Sequence, residues 1–435
     1  MSMEIDMTLL PFSIQNSTLV VSEIRDWPGV ESGIYIRSVK GGDDRVSRLF
    51  RLELLKDGEI VEITCKAQPG SLNLNGDVEL SISDHELIHF RGYGHSLRLT
   101  APGSTYNHGD RILEGQWLVN SYSENCRALV GMKKGHLEGF APWGEKGCTQ
   151  IQLTASGTEE ADGADYYEGY IRIGEVSVSK TVPEESFEGS VEKIRQSFAA
   201  WKGRNPFGEK GRELAYYITW SAMVPSEGKL TRPAMYMSKN WMTNIWSWDN
   251  CFNAMGLAGR NPELAWDQIM VFADQQHESG VFPDFLNDRF ASWSCCKPPV
   301  HGWAIQWMDE RFGLLKKSSK RSREIYEPLV KWTNYWLGER SENEKRIPRY
   351  FHGNDSGWDN GTIFRKGCPV ESPELLAYLI LQLELLEKLA KKRGRVLDEA
   401  GWKKEQQRLE GLLMKEFWTG DSFQSFYIDS RSGAR

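Results

Sequence analysis

The 435 residues exceed what one ordinary hydrophobic core holds and fit two domains. With 53 basic against 60 acidic side chains the net charge is -7, which argues against a nucleic-acid partner held by phosphate neutralisation and leaves an uncharged or small ligand. The N-terminal stretch MSMEIDMTLLPF lacks the apolar run of a signal peptide, and no segment approaches the ~20 apolar residues of a membrane span, so the expectation is a cytoplasmic protein without a membrane partner.

From the N-terminus to about residue 180 the chain reads as β. In RLFRLELLKDGEIVEITCKA two apolar runs are joined by Asp57-Gly58, a dipeptide suited to the positive φ angles of a tight hairpin. Further alternating runs follow, such as Val78, Leu80 and Ile82, then Leu97 and Leu99, then Ile151 and Leu153, then Ile171 and Ile173. Turn residues between them recur at short intervals, and an antiparallel β-sandwich follows. Glu159 to Asp165 reads as a mobile loop. His85, His89, His95 and His108 have no ligand-like spacing and are read as scattered side chains rather than a metal set. Seven cysteines without CxxC pairs read as free thiols in a reducing compartment.

After Lys180 the period changes to that of helices. A linker helix is expected over 181–206, with Val191, Ile194, Phe198 and Trp201 on one face, and the remaining 207–435 as a second, helical domain. Its helices are expected near Gly211–Val224, Ile245–Ala258, Pro262–Gln276, Val300–Leu315, Arg321–Leu337, Ser372–Lys392 and Leu397–Phe417. Asn261 and Pro262 suit a cap and first-turn position. The 372–392 segment is the clearest, with Leu375, Leu376, Leu379, Leu383, Leu386 and Leu389 on a stripe too wide for a coiled coil.

Fourteen of the 17 tryptophans fall after residue 200. A lone Trp is usually core packing, but Trp beside carboxylates suits the stacking of sugar rings. Four stretches carry that composition. WSWDNCFNAMGLAG places Trp248 and Asp249 at a helix mouth, where the aspartate could equally cap the helix and answer its dipole. QQHESGVFPDFLND ends a helix with Gln276 and His277, and CCKPPVHGWAIQWM opens the next with Trp303. The fourth, YFHGNDSGWDNGTIFRKGCP, sets Trp358, Asp359 and Asn360 among glycines that let the chain turn sharply. Within it Asp355 reads as a loop-capping residue.

Taken in order, WSWDNCFNAMGLAGRNPELAWDQI, GVFPDF, KPPVHGWAI, SGWDNG and SPELLAYLILQLELLEKLAKKRG resemble the (α/α)6-barrel glycoside hydrolases of family 63 and the related trehalases. The resemblance implies a β-sandwich followed by a barrel, here only its N-terminal part, and hydrolysis of a terminal α-glycosidic bond, most often a glucoside, with inversion. Inversion needs an acid to protonate the leaving oxygen and a base ~6.5–9.5 Å away to activate water. By resemblance the acid is Asp359, made protonatable by burial against Trp358 or by a neighbouring carboxylate. Trp248 and Asp249 would then line the sugar pocket, with Gln276, Trp303 and Asn360 as further candidates. The family's base is a glutamate from the second half of the barrel; nothing before Arg435 matches it, and neither Glu371, Asp421 nor Asp429 has a motif behind it. The resemblance therefore implies a chain cut short on its C-terminal side. The expected partner is an oligosaccharide or small glycoside. No dinucleotide or phosphate-loop motif and no EF-hand loop is present, so no cofactor and no metal are expected. A non-catalytic glycan-binding protein on the same scaffold is the alternative.

Overall fold

Asp57 and Gly58 both take positive φ, 51° and 84°, and the strands they join pair in register, Lys56 with Glu59 and Leu54 with Val61. This hairpin lies in the first of two compact units in the computed structural model, which describes residues 3–44, 47–159, 165–203, 210–429 and 432–435. The first unit comprises Met1–Pro225 with Ser238–Thr243, the second Ser226–Met237 with Asn244–Arg435.

The first unit is an antiparallel β-sandwich, as expected. One sheet runs in the order Leu19–Ile24, Gly33–Ser38, Phe50–Lys56, Ser96–Ala101, Ile151–Ser156, His136–Phe140, with the short strand Glu59–Val61 beside the third. The other runs His108–Leu113, Gln116–Ser121, Cys126–Lys134, Asp165–Gly174, Leu87–Tyr93, Val78–Ile82, Ser71–Leu74, Cys65–Gln68. Alternate side chains of both sheets, among them Leu97, Leu99 and Leu153 from one and Leu80, Phe90 and Ile171 from the other, share one core. The loop expected over Glu159–Asp165 lies, from 160 to 164, outside the described residues.

Two helices belong to this unit. In α1 (Phe187–Lys202) Ser186 caps the N-terminus through Gly189 N, and Val191, Ile194 and Phe198 are buried. Its Ser190 hydroxyl meets that of Ser81 on the sheet at 2.8 Å. Helix α2 (Lys210–Ser221) inserts Tyr217 and Trp220 into the same core.

The second unit is helical. It contains α3 (Asp249–Leu257), α4 (Pro262–Ala273), α5 (His301–Phe312), α6 (Ser319–Leu337), α7 (Pro373–Lys392) and α8 (Val396–Leu412). Besides packing in sequential hairpins, α3, α5 and α7 lie side by side in one row, while α4 and α6 adjoin in another. Tyr326 of α6 extends that second row by donating to Asp398 of α8 at 2.9 Å. Two concentric rows of alternating helices are the build of an (α/α) barrel. Between α5 and α7 the contact is backbone to backbone: a Cβ on Gly302 would come within 2.4 Å of Gln382 Cα. Gln382 also accepts from Gly302 N and donates to Thr333 of α6, tying three helices through one buried amide.

Several helix ends differ from the sequence reading: α2 stops at Ser221, before the expected Val224, because Met223 and Val224 form a short strand, α4 stops at Ala273 rather than Gln276, and α8 at Leu412 rather than Phe417. Ile245 and Trp246 are not the start of α3 but a strand paired with Phe285 and Leu286, since the β-branched and aromatic pair extends and the helix begins at Asp249. Helix α5 stops at Phe312, before the expected Leu315, because Gly313 takes a left-handed conformation at φ 72°. Pro262 does open α4, but the Asn261 side chain makes no capping bond.

Candidate functional site

The acidic loop is built around Asp355. Its buried carboxylate accepts from Cys296 N at 3.0 Å, Phe351 N at 2.9 Å and His352 N at 3.1 Å, and meets Arg340 Nη1 at 3.0 Å. The aspartate is thus a loop organiser, consumed by backbone donors and an arginine. Gly357 follows at φ 71°, and a Cβ there would come within 2.7 Å of the Trp248 indole. Glycine is needed twice over, for the backbone angle and for the seat of Trp248.

That seat brings the tryptophans together. Trp248 lies edge-on to Trp358, ring centroids 6.3 Å apart, and to Phe252 at 5.3 Å, while Phe252 meets Trp303 at 6.0 Å. Together with Val300, Tyr378 and Leu381 these rings line a cavity of about 370 Å³ over the α3–α5–α7 row. An aromatic cavity of that size suits a small ligand with flat apolar faces.

Beside it stand three aspartates and a lysine. Lys297 Nζ lies 3.4 Å from Asp284 Oδ1 and 3.9 Å from Asp359 Oδ1, and donates to the Asn354 carbonyl at 2.8 Å. Asp284 Oδ1, although buried, has no partner in hydrogen-bond geometry, so Lys297 answers it by charge rather than by a bond. Burial pushes the Asp249 carboxyl up to about 6; Lys297 opposes the rise and the charges of Asp359 and Asp284 add to it. Asp284 is raised by burial as well, against the pull of Lys297. Two carboxyls poised above their ordinary range beside a cavity are what acid–base chemistry or hydroxyl recognition requires.

Of the candidates read from sequence, Trp248, Asp249, Trp303, Trp358 and Asp359 gather here. The burial expected for Asp359 against Trp358 is absent: its side chain is 62% exposed and Trp358 is 58% exposed. Asn360 is exposed in the turn that Gly361 N closes onto the Trp358 carbonyl. Gln276 stands apart, its amide donating to the Gly280 and Pro328 carbonyls at 2.7 and 2.9 Å. Glu371 is buried between Arg349 and Arg435, each donating twice to it, and Asp421 accepts from Thr419 and Ser422 at the surface. Asp429 is occupied by the turn at Ser432. Lys297 was missed as a site residue, and Asp284, which follows Pro283 in the second of the four stretches, was given no role; the signal for the lysine was its place between Cys296 and Pro298-Pro299. Among the described residues no group of three or more His, Cys, Asp or Glu side chains is placed to hold a metal ion, and no helix is long and apolar enough to cross a membrane.

A β-sandwich followed by paired helical rows, with tryptophans and carboxylates at the loop ends, is the build of barrel glycosidases of the family 63 type, which the helical unit resembles. Residues 242–435 match the family model of the mannosylglycerate hydrolase MGH1-like glycoside hydrolase domain. A glucosylglycerate hydrolase of Mycolicibacterium hassiacum is 29% identical over 147 residues, 27% of this chain and 33% of that protein. A mannosylglycerate hydrolase of Rubrobacter radiotolerans is 23% identical over 192 residues, 38% of this chain and 41% of that protein. The matches thus span between a third and about two fifths of those relatives. Among solved structures, a human-microbiome protein provisionally described as a kojibiose phosphorylase superposes with a TM-score of 0.55 at 12% identity, over 93% of this chain and 67% of its own. At that identity the likeness is one of fold.

Proposed function

We propose that this chain carries the sugar-binding residues and the general acid of an inverting glycosidase acting on the terminal α-linked sugar of a small glycoside, of the glucosylglycerate or mannosylglycerate kind. The observation that carries the reading is the gathering of Asp249, Asp284 and Asp359 around Lys297, beside a cavity walled by Trp248, Trp303 and Trp358. Indole faces stack on the apolar face of a pyranose, and ionised aspartates accept from its hydroxyls. Asp359, at the tip of a glycine-rich turn, is the acid that hands a proton to the leaving oxygen. Closing a sugar over it would supply the desolvation that its exposed position lacks and favour the protonated form.

The test is anomer-resolved proton NMR of α-glucosylglycerate and α-mannosylglycerate during turnover by the protein expressed to its natural stop codon. Inversion releases the sugar first as its β-anomer, and Asp359→Asn abolishes release. First appearance of the α-anomer, or an active Asp359→Asn chain, rejects the reading. Tryptophan quenching by these sugars without turnover replaces it with glycan binding.

A further inference from the structure

Three aspartates converge on one ammonium. Lys297 leaves the backbone between Cys296 and Pro298-Pro299, whose fixed φ angles limit how the segment can move, and its side chain is 7% exposed. Its bond to the Asn354 carbonyl reaches the 3-10 turn Gly353–Ser356, which leads directly into Trp358 and Asp359. Its charge faces Asp284 and Asp359 and acts on Asp249. The neighbouring ionisable groups are Cys295, Cys296, Asp355 and Arg340. Arg340 is engaged with Asp355 at 3.0 Å, and burial pushes both thiols up, so they stay neutral. The positive charge within 4 Å of both Asp284 and Asp359 is that of Lys297.

We propose that Lys297 is a positioning residue of the glycosidase site: its ammonium clamps the loop carrying Asp359 toward Asp284 and supplies the counter-charge of Asp249 and Asp284. A neutral side chain of similar length could still donate to Asn354 but would leave Asp249 and Asp284 without their counter-charge. The carboxyls would then take up protons at higher pH, and the acidic limb of the hydrolysis profile would move with them. The catalytic consequence rests on the glycosidase reading; the clamp and the charge effect do not.

The experiment is a carboxyl-carbon NMR titration of aspartate-labelled full chain without substrate, with Asp249→Asn, Asp284→Asn and Asp359→Asn assigning the signals. In Lys297→Gln the Asp249 and Asp284 midpoints move up by about one pH unit, and in Lys297→Arg they stay within a few tenths of the original. If turnover is present, Lys297→Gln shifts the acidic limb by the same amount and lowers kcat about tenfold with a smaller change in KM. Unshifted midpoints in Lys297→Gln overturn the proposal whatever the activity, whereas shifted midpoints without turnover by the protein expressed to its natural stop codon reject the glycosidase reading alone. Should Lys297→Gln not fold, the Nζ nitrogen resonance of Lys297 in the unsubstituted chain decides. It follows the aspartate titration between about pH 4 and 8 if the proposal holds, and a flat response overturns it.

Discussion

Asp249 gives the helical unit a pH dependence whose sign can be worked out. Its folded value, about 6, lies above that of an unfolded aspartate, so the fold favours the protonated form. The stability it contributes is fully present below about pH 4 and is lost as the pH rises through about 6. Asp249→Asn should therefore stabilise the chain at neutral pH by about 2 kcal/mol and flatten the slope between about pH 4 and 7, read from urea midpoints at stepped pH. A variant as pH-sensitive as the parent would place the shift elsewhere. At Gly357 an added methyl meets both an unfavourable φ of 71° and the Trp248 ring. Gly357→Ala should cost about 2–3 kcal/mol and alter the Trp248 emission, and an unchanged spectrum would mean that the loop absorbs the methyl. How legible these residues were depended on what each side chain touches. Trp248, Trp358 and Asp359 lie in short aromatic and glycine-rich motifs, and their grouping could be read from motif order. A glutamine at a helix end reads the same whether it faces a ligand or, like Gln276, two backbone carbonyls. Nothing local marks Lys297, because the carboxylates that answer it come from loops 13 residues before it and 62 after it, by the numbering of Asp284 and Asp359.

Elements were most legible where one local rule decided them. Asp57-Gly58 had to turn, and the leucine stripe of α7 had to face a core, because both signals are complete within a few residues. Ile245 and Trp246 escaped because their strand partner, Phe285–Leu286, lies some forty residues away and no local periodicity announces it. The close approach of α5 to α7 was equally silent in sequence, since a helical glycine carries no sign of the neighbour that requires it. Gly302→Ala tests this contact. Alanine is the better helix former by about 1 kcal/mol, yet the clash with the Gln382 backbone should cost more, for a net loss of about 2 kcal/mol and faster amide exchange in α7. A stabilised variant would show that the two helices can part without penalty.

At the scale of the molecule, the chain visits the two units in alternation, with Ser238–Thr243 returning to the sandwich between two stretches of the helical unit. Polar side chains hold this return. Arg37 donates to the Asn240 carbonyl at 3.0 Å and Ser22 to its side-chain oxygen at 2.9 Å. Lys239 is buried, and its Nζ lies within hydrogen-bond reach of Ser13 Oγ and of the Ile14, Ser17 and Met223 carbonyls, at 2.6 to 3.2 Å. Burial drives its amine well below the ordinary lysine range, and the four oxygens around it offset that cost by accepting from it. Lys239→Met keeps most of the volume and removes every donor, leaving a cluster of buried oxygens unanswered. The expected loss is about 3 kcal/mol or more, confined to the unit that contains the cluster. Hydrogen exchange followed by mass spectrometry localises it: peptides covering 13–22 and 238–243 should lose protection while those of α5 and α7 keep theirs. Equal loss in all of them would mean that the units unfold as one, and no loss in any would mean that apolar packing alone holds the returning segment in place.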